Sequence, residues 1–283
     1  MKEGFNTVLV VGVGLIGGSL ALALKEKKIT KTVIGYSRNI ERLKKAVTKG
    51  IIDDFTDALD KTSQADLVVL ATPVSVFEAL ISQMRDYIKK DTIIIDVGSV
   101  KGSIVEKIER LLPSEVYFVG THPIAGSEKT GFEYARADLF INSKVIITPT
   151  DKTAMSALEK VTQMWKHIGA DVEFMSPEQH DRVYALVSHL PHLLSYCLVE
   201  TVAQFDKFFI NYAGSGFRDI TRVAKSSPEL WSDIFITNRE NILNFLEMFT
   251  NKLKQMRDLI LKENITQLKA FLESARKLRE SID

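Results

Sequence analysis

The stretch "VLVVGVGLIGGSLALAL", Val8–Leu24, decides the fold. Val8 to Val11 form an unbroken aliphatic run, and such a run without polar alternation suits a strand covered on both faces. From Leu15 onward the residues are good helix formers. Between the two lie Gly12, Gly14 and Gly17 in a G-x-G-x-x-G spacing, with Leu15 and Ile16 inside it. The first glycine permits a tight turn, the second lets backbone approach a pyrophosphate, and the third lets helix and strand pack closely. Unpaired N–H groups and the helix dipole then face the phosphates. The spacing alone is common, but here it follows a strand and starts a βαβ unit, so a dinucleotide site is expected.

Working outward, the runs "TVLVVG", "KTVIGY", "ADLVVLAT", "DTIIIDV", "EVYFVG" and "SKVIITP" alternate with segments of helical period up to about Phe174. This pattern predicts an α/β Rossmann domain, a doubly wound and mostly parallel sheet. "GADVEFMS" reads as one more edge strand. After Pro177 only helical periodicity remains, so we expect residues 1–176 to bind the dinucleotide and residues 177–283 to form an all-helical domain for substrate binding and dimerisation. Phe235, Ile242, Phe245, Leu246 and Phe249 fall on related helical faces, for which a partner subunit is the simplest cover.

The composition narrows the function classes. With 37 basic and 36 acidic side chains the net charge is +1, which offers no global attraction to nucleic acid or to an anionic membrane. The single cysteine, Cys197, excludes a disulfide framework and reads as a small buried hydrophobe. No apolar run has the length of a membrane span, and a cytoplasmic protein is expected. No spacing of histidines, cysteine and carboxylates forms a convincing metal-ligand set, so no metal is expected.

At the end of the second strand, "VIGYSRN", the carboxylate that binds the ribose of NAD is missing. Tyr36, Ser37 and Arg38 stand there instead. A guanidinium after a small hydroxyl suits a 2′-phosphate, so NADP is favoured over NAD, although Arg38 could equally be a solvated surface charge. Thr72 and Pro73 close a later strand and are candidate walls of the nicotinamide side. Asp96, Ser99 and Lys101 follow another; Asp96 and Lys101 read equally well as turn formers.

"THPIAGSEKTG", Thr121–Gly131, packs no core and follows the strand "EVYFVG". His122 should therefore emerge beside the cofactor. With an ordinary pKa of about 6.5, a histidine there can accept a hydroxyl proton while a hydride leaves the same carbon.

"VGVGLIGGSLA", "VLATPV", "DVGSVKG", "THPIAGSEKTG", "SHLPH" and "GFRDITRVAKSSPELW", in this order, resemble the prephenate dehydrogenase family, which includes arogenate and cyclohexadienyl dehydrogenases. The resemblance spans nearly the whole chain. It implies oxidative decarboxylation of prephenate to 4-hydroxyphenylpyruvate with hydride transfer to a nicotinamide, in tyrosine biosynthesis. It further implies that His122 bonds the C4 hydroxyl and that Ser99 helps hold that hydroxyl and the nicotinamide. Glu128 would be a gate or ionic partner. His192 and Arg222 would face the acidic substrate, with Asp219 and Trp231 shaping that wall; His189 would be supporting or structural. A chorismate mutase segment is not expected. Three alternatives remain: arogenate as substrate, another dehydrogenase of similar build, and a non-catalytic NADP-binding dimeric sensor.

Overall fold

In a computed structural model, which describes residues 4–282, the first half of the chain is a single sheet. Its strands are β1 (Phe5–Val11), β2 (Thr30–Tyr36), β3 (Asp54–Thr56), β4 (Leu67–Leu70), β5 (Ile93–Asp96), β6 (Tyr117–Pro123), β7 (Lys144–Thr148) and β8 (Asp171–Phe174). Their order is β3-β2-β1-β4-β5-β6-β7-β8, and every pairing is parallel except that of β6 with β7. This is a doubly wound α/β sheet whose order reverses between β1 and β4. Only β3, the three residues "DFT", escapes the sequence reading, because it is too short and too polar to show a pattern.

The pleat sends successive side chains of each strand to opposite faces. Val8 and Val10 of β1 join one buried cluster with Leu20 and Leu24 of α1 (Leu15–Glu26), Leu43 of α2 (Ile40–Thr48) and residues of the later helix Met155–Ile168. Leu9 and Val11 join the opposite cluster with Phe77 and Ile81 of α3 (Phe77–Met84) and Val105 of α4 (Gly102–Leu111). Each such fully buried aliphatic side chain contributes about 1.5–3 kcal/mol.

Beyond α5 (Met155–Ile168) and β8 the chain is helical: α6 (Pro177–Tyr184), α7 (Leu190–Phe205), α8 (Ser215–Thr221), α9 (Pro228–Thr237), α10 (Arg239–Leu261) and α11 (Ile265–Glu280). Two of these starts follow one rule. Ser176 and Ser227 cap α6 and α9 by accepting from the N–H of Gln179 and Leu230, and a proline occupies the first turn of each. Between α6 and α7, Ala185–His189 forms a π-helical turn. Pro191 has no N–H to continue the α ladder there, and a wider turn relieves the mismatch.

The chain divides into two compact units, Met1–Arg239 and Glu240–Asp283. The first contains the sheet and α1 to α9, with Trp231 and Ile234 of α9 packed into the cluster of α3 and α4. The second contains nearly all of α10 together with α11, whose first turn is capped by the Asn264 side chain accepting from the N–H of Gln267.

Two expectations about burial are corrected. Cys197 is exposed, because α7 turns Ser195 inward and leaves Cys197 and its neighbour Leu198 on the outer face. Ile242 and Phe245 are buried within the chain, so they need no partner subunit to cover them. The large uncovered side chains of the helical half include Phe205 (85% exposed), Tyr212 (77%), Phe208 and Phe209.

Candidate active site

Open α/β sheets bind ligands where the strand order reverses, outside the carboxyl ends of the strands. Here the loop after β1 and the loop after β4 meet at that point. Gly12 has φ +102°, and a Cβ there would strike the Ala71 carbonyl; a Cβ on Gly17 would lie 2.3 Å from the Gly12 oxygen. A Cβ on Gly14 would meet nothing within 4 Å. Gly12 and Gly17 thus build the turn, and Gly14 leaves the open space that a pyrophosphate needs above the start of α1. Thr72 offers a buried Oγ1 without a hydrogen-bond partner at the same wall. These features fit a nicotinamide dinucleotide.

A cavity of about 950 Å³ runs from this crevice to the helices. Its walls include Gly14, Leu15, Ile16, Thr72, Pro73, Ser99, His122, Glu128, His192, Arg222 and Trp231, so most of the expected site residues converge on one space. A smaller adjoining cavity of about 210 Å³ is lined by Gly12, Ser37 and Arg42. Arg38 and Asp219 line neither cavity and are exposed; Gly17 is buried beneath the turn.

His122 lies within β6, paired with Ile146 of β7, rather than in the loop after the strand. The antiparallel β7 satisfies the backbone of Gly120 to Pro123 beyond the point where β5 ends, and this extends the strand. The following residues, Ile124 to Gly131, line the main cavity.

Behind His122 lies a set of groups for which the sequence has no motif. Its Nδ1 is 2.8 Å from Nε2 of His180, whose Nδ1 is 2.8 Å from Oδ1 of Asp181. The Asp181 carboxylate also accepts from the N–H of Lys101 at 2.7 Å and of Gly102 at 2.8 Å, at the start of α4. Burial, reinforced by the neighbouring His180 imidazole and the Lys101 ammonium, holds the His122 imidazole well below its ordinary pKa. Burial also drives His180 down to about 2 and pushes the Asp181 carboxyl up to about 6. His122 is therefore neutral at pH 7, and a neutral imidazole can accept a proton.

Asp96 and Lys101 are more than turn formers. Both are fully buried and paired, and the ammonium also donates to the Gly98 carbonyl at 2.8 Å. Asp96 accepts in addition from the N–H of Gly98 and Thr121. Burial raises its pKa, opposed by Lys101 and by those two donors. The pair ties the Ser99 loop to the strand that carries His122.

At the helical end His192 stacks on Trp231, with ring centres 3.5 Å apart. Its Nδ1 donates to the Ser188 carbonyl at 2.9 Å, which leaves Nε2 for a ligand. Arg222 is 63% exposed at the rim, 3.7 Å from Glu128 across the cavity mouth. His189 is buried, with Nδ1 3.1 Å from the Asn238 amide, and burial lowers its pKa to about 4.

Three residues at or behind this site were missed in the sequence. Arg42 lines both cavities from the first turn of α2, where its N–H donates to the Asn39 cap; a basic residue just after the second strand was its only signal. His180 and Asp181 gave no signal, since no spacing joins them to His122.

Comparison with known proteins is consistent along the chain. Residues 20–174 match the family model described as prephenate dehydrogenase, nucleotide-binding domain, and residues 176–274 match prephenate dehydrogenase, dimerization domain. Cyclohexadienyl dehydrogenase of Zymomonas mobilis is 36% identical over 97% of this chain and 95% of its own. Prephenate dehydrogenase of Bacillus subtilis is 35% identical over 100% and 77% respectively. The crystal structure of prephenate dehydrogenase from A. aeolicus, in complex with hydroxyphenyl propionate and NAD+, superposes with a TM-score of 0.94 at 40% identity, covering 100% of both chains.

Proposed function

This chain belongs to the prephenate dehydrogenase family, and from that membership we infer that it oxidatively decarboxylates prephenate to 4-hydroxyphenylpyruvate and carbon dioxide in tyrosine biosynthesis. The observation that carries the reading to the residues is the shared cavity, in which a dinucleotide crevice and His122 face the same space.

The nicotinamide cofactor would lie with its phosphates on the Gly12–Gly17 turn and its ring against Thr72 and Pro73. Once bound, it supplies the acceptor for the hydride that leaves C4. His122 takes the proton of the C4 hydroxyl as the hydride departs. The bond from C1 to its carboxylate then breaks, carbon dioxide leaves, and the electron pair enters the ring, which becomes aromatic. The phenolate oxygen recovers a proton, so His122 is charged only transiently and no net proton is released. Ser99 orients the hydroxyl toward His122, and orientation supplies much of the rate. Arg222 binds a substrate carboxylate, and His192, held by its stack on Trp231, faces the same substrate with an accepting Nε2. Glu128 is the ionic partner of Arg222 at the mouth, and Asp219 is assigned to the outer rim of that wall.

Between the two cofactors we favour NADP. The end of β2 presents Ser37 and Arg38 with no carboxylate, and Arg42 brings a second guanidinium to the adjoining cavity. We draw the domain boundary at Ser176/Pro177, where the last strand gives way to α6, and assign the helical domain to homodimer formation, a reading supported by the description of the family model that it matches. Among the described residues no helix is long and apolar enough to cross a membrane. With a single cysteine in the sequence, the cytoplasm is the natural compartment.

The test is reduction of NADP and of NAD, followed by absorbance, with prephenate and arogenate as separate substrates. Turnover of prephenate supports the reading and ranks the cofactors. Turnover of arogenate alone shifts the substrate, and cofactor binding without turnover in any mixture would favour a sensor.

A further inference from the structure

We propose that His180 and Asp181 are positioning residues that fix the tautomer of His122, leaving its Nε2 unprotonated toward the substrate. The argument is a count of protons along the chain of hydrogen bonds. An ionised carboxylate only accepts, so Asp181 requires His180 to donate from Nδ1. A neutral His180 has one proton, so its Nε2 accepts. Nδ1 of His122, 2.8 Å away, must then donate. A neutral His122 with its proton on Nδ1 has a bare Nε2, and His122 lines the cavity.

The same chain stabilises the step that follows. When Nε2 takes the hydroxyl proton, the positive imidazolium donates through His180 toward the Asp181 carboxylate. It is the buried charge nearest to His180 that can balance it, because Asp96 is already paired with Lys101. The groups around the chain are few. Asp181 is faced by the N–H groups of Lys101 and Gly102, by the Lys101 ammonium, by His180 on its own helix and by His189. His122 is faced by His180, Lys101, His189 and the Tyr184 ring, whose centre lies 5.1 Å away. With Asp181 titrating at about 6, kcat should fall as pH drops through that region, because a protonated Asp181 no longer requires the donor from His180.

The inference rests on the reading of His122 as the proton acceptor, and two measurements separate them. In the wild-type protein labelled with 15N-histidine, long-range proton–nitrogen correlations report the tautomer of each ring, and only five histidines are present. His122, assigned by its loss in His122→Asn, should carry its proton on Nδ1; a proton on Nε2 overturns the proposal whatever the enzyme does. His180→Phe should lower kcat on the order of 100-fold or more while KM and cofactor affinity move less than about threefold, since a misplaced imidazole tautomer costs turnover rather than binding. It should also lose the acid limb near pH 6. Wild-type kcat and pH profile in that variant would refute the positioning role. If His180→Phe fails to bind cofactor, the wild-type spectrum decides. Undiminished turnover in His122→Asn removes the acceptor reading itself and leaves the tautomer result standing as geometry.

Discussion

Arg38 and Arg42 are four positions apart, yet only Arg42 reaches the two cavities. A guanidinium bonded to a phosphate contributes about 1.5–3 kcal/mol. Arg42→Ala should therefore raise KM for NADP about 10-fold to 100-fold and leave that for NAD nearly unchanged, with a smaller effect for Arg38→Ala. Steady-state kinetics with both cofactors checks this, and an equal effect on both would mean that no 2′-phosphate is read. At this scale legibility depended on local context. His122, Ser99 and Arg222 could be read because each sits in a distinctive motif beside a strand end or a helix. His180 could not, because it lies 58 residues from His122 and only the packing of α6 against the sheet brings the rings together.

Among elements, the segment from β5 to α4 shows how a loop is made rigid. Asp96 and Lys101 are buried at its two ends and share hydrogen bonds with Gly98 and Thr121. Removing one partner strands a buried charge and should cost about 3–5 kcal/mol, so Lys101→Met should lower the unfolding midpoint clearly in urea. The double variant Asp96→Asn/Lys101→Met should recover part of that loss. If the single variant is as stable as the wild type, the pair is not what holds the loop. The strands and helices here were largely legible, since aliphatic runs, Ser-Pro starts and the glycine turn are local signals. The extension of β6 through His122 was not, because it depends on hydrogen bonds from β7, and β7 is distant in sequence.

At the scale of the whole molecule, the helical half carries uncovered apolar surface. Phe205, at the end of α7, and Phe208, Phe209 and Tyr212, just after it, form a group of exposed aromatic side chains. If they bury in the homodimer proposed above, Phe205→Asp/Phe209→Asp should shift the sedimentation coefficient to that of a monomer; a persistent dimer would place the interface elsewhere. Composition, the glycine spacing and the order of motifs determined the fold class, the family and most of the residues around the cavity, because periodicity and turn chemistry are properties of neighbours along the chain. Tertiary structure alone decided which face of α7 is buried, that Asp96 and Lys101 pair, that Arg42 enters the cofactor crevice, and that His180 and Asp181 stand behind His122. Those contacts join distant segments, and the desolvation that lowers the pKa of His122 exists only once the segments have packed.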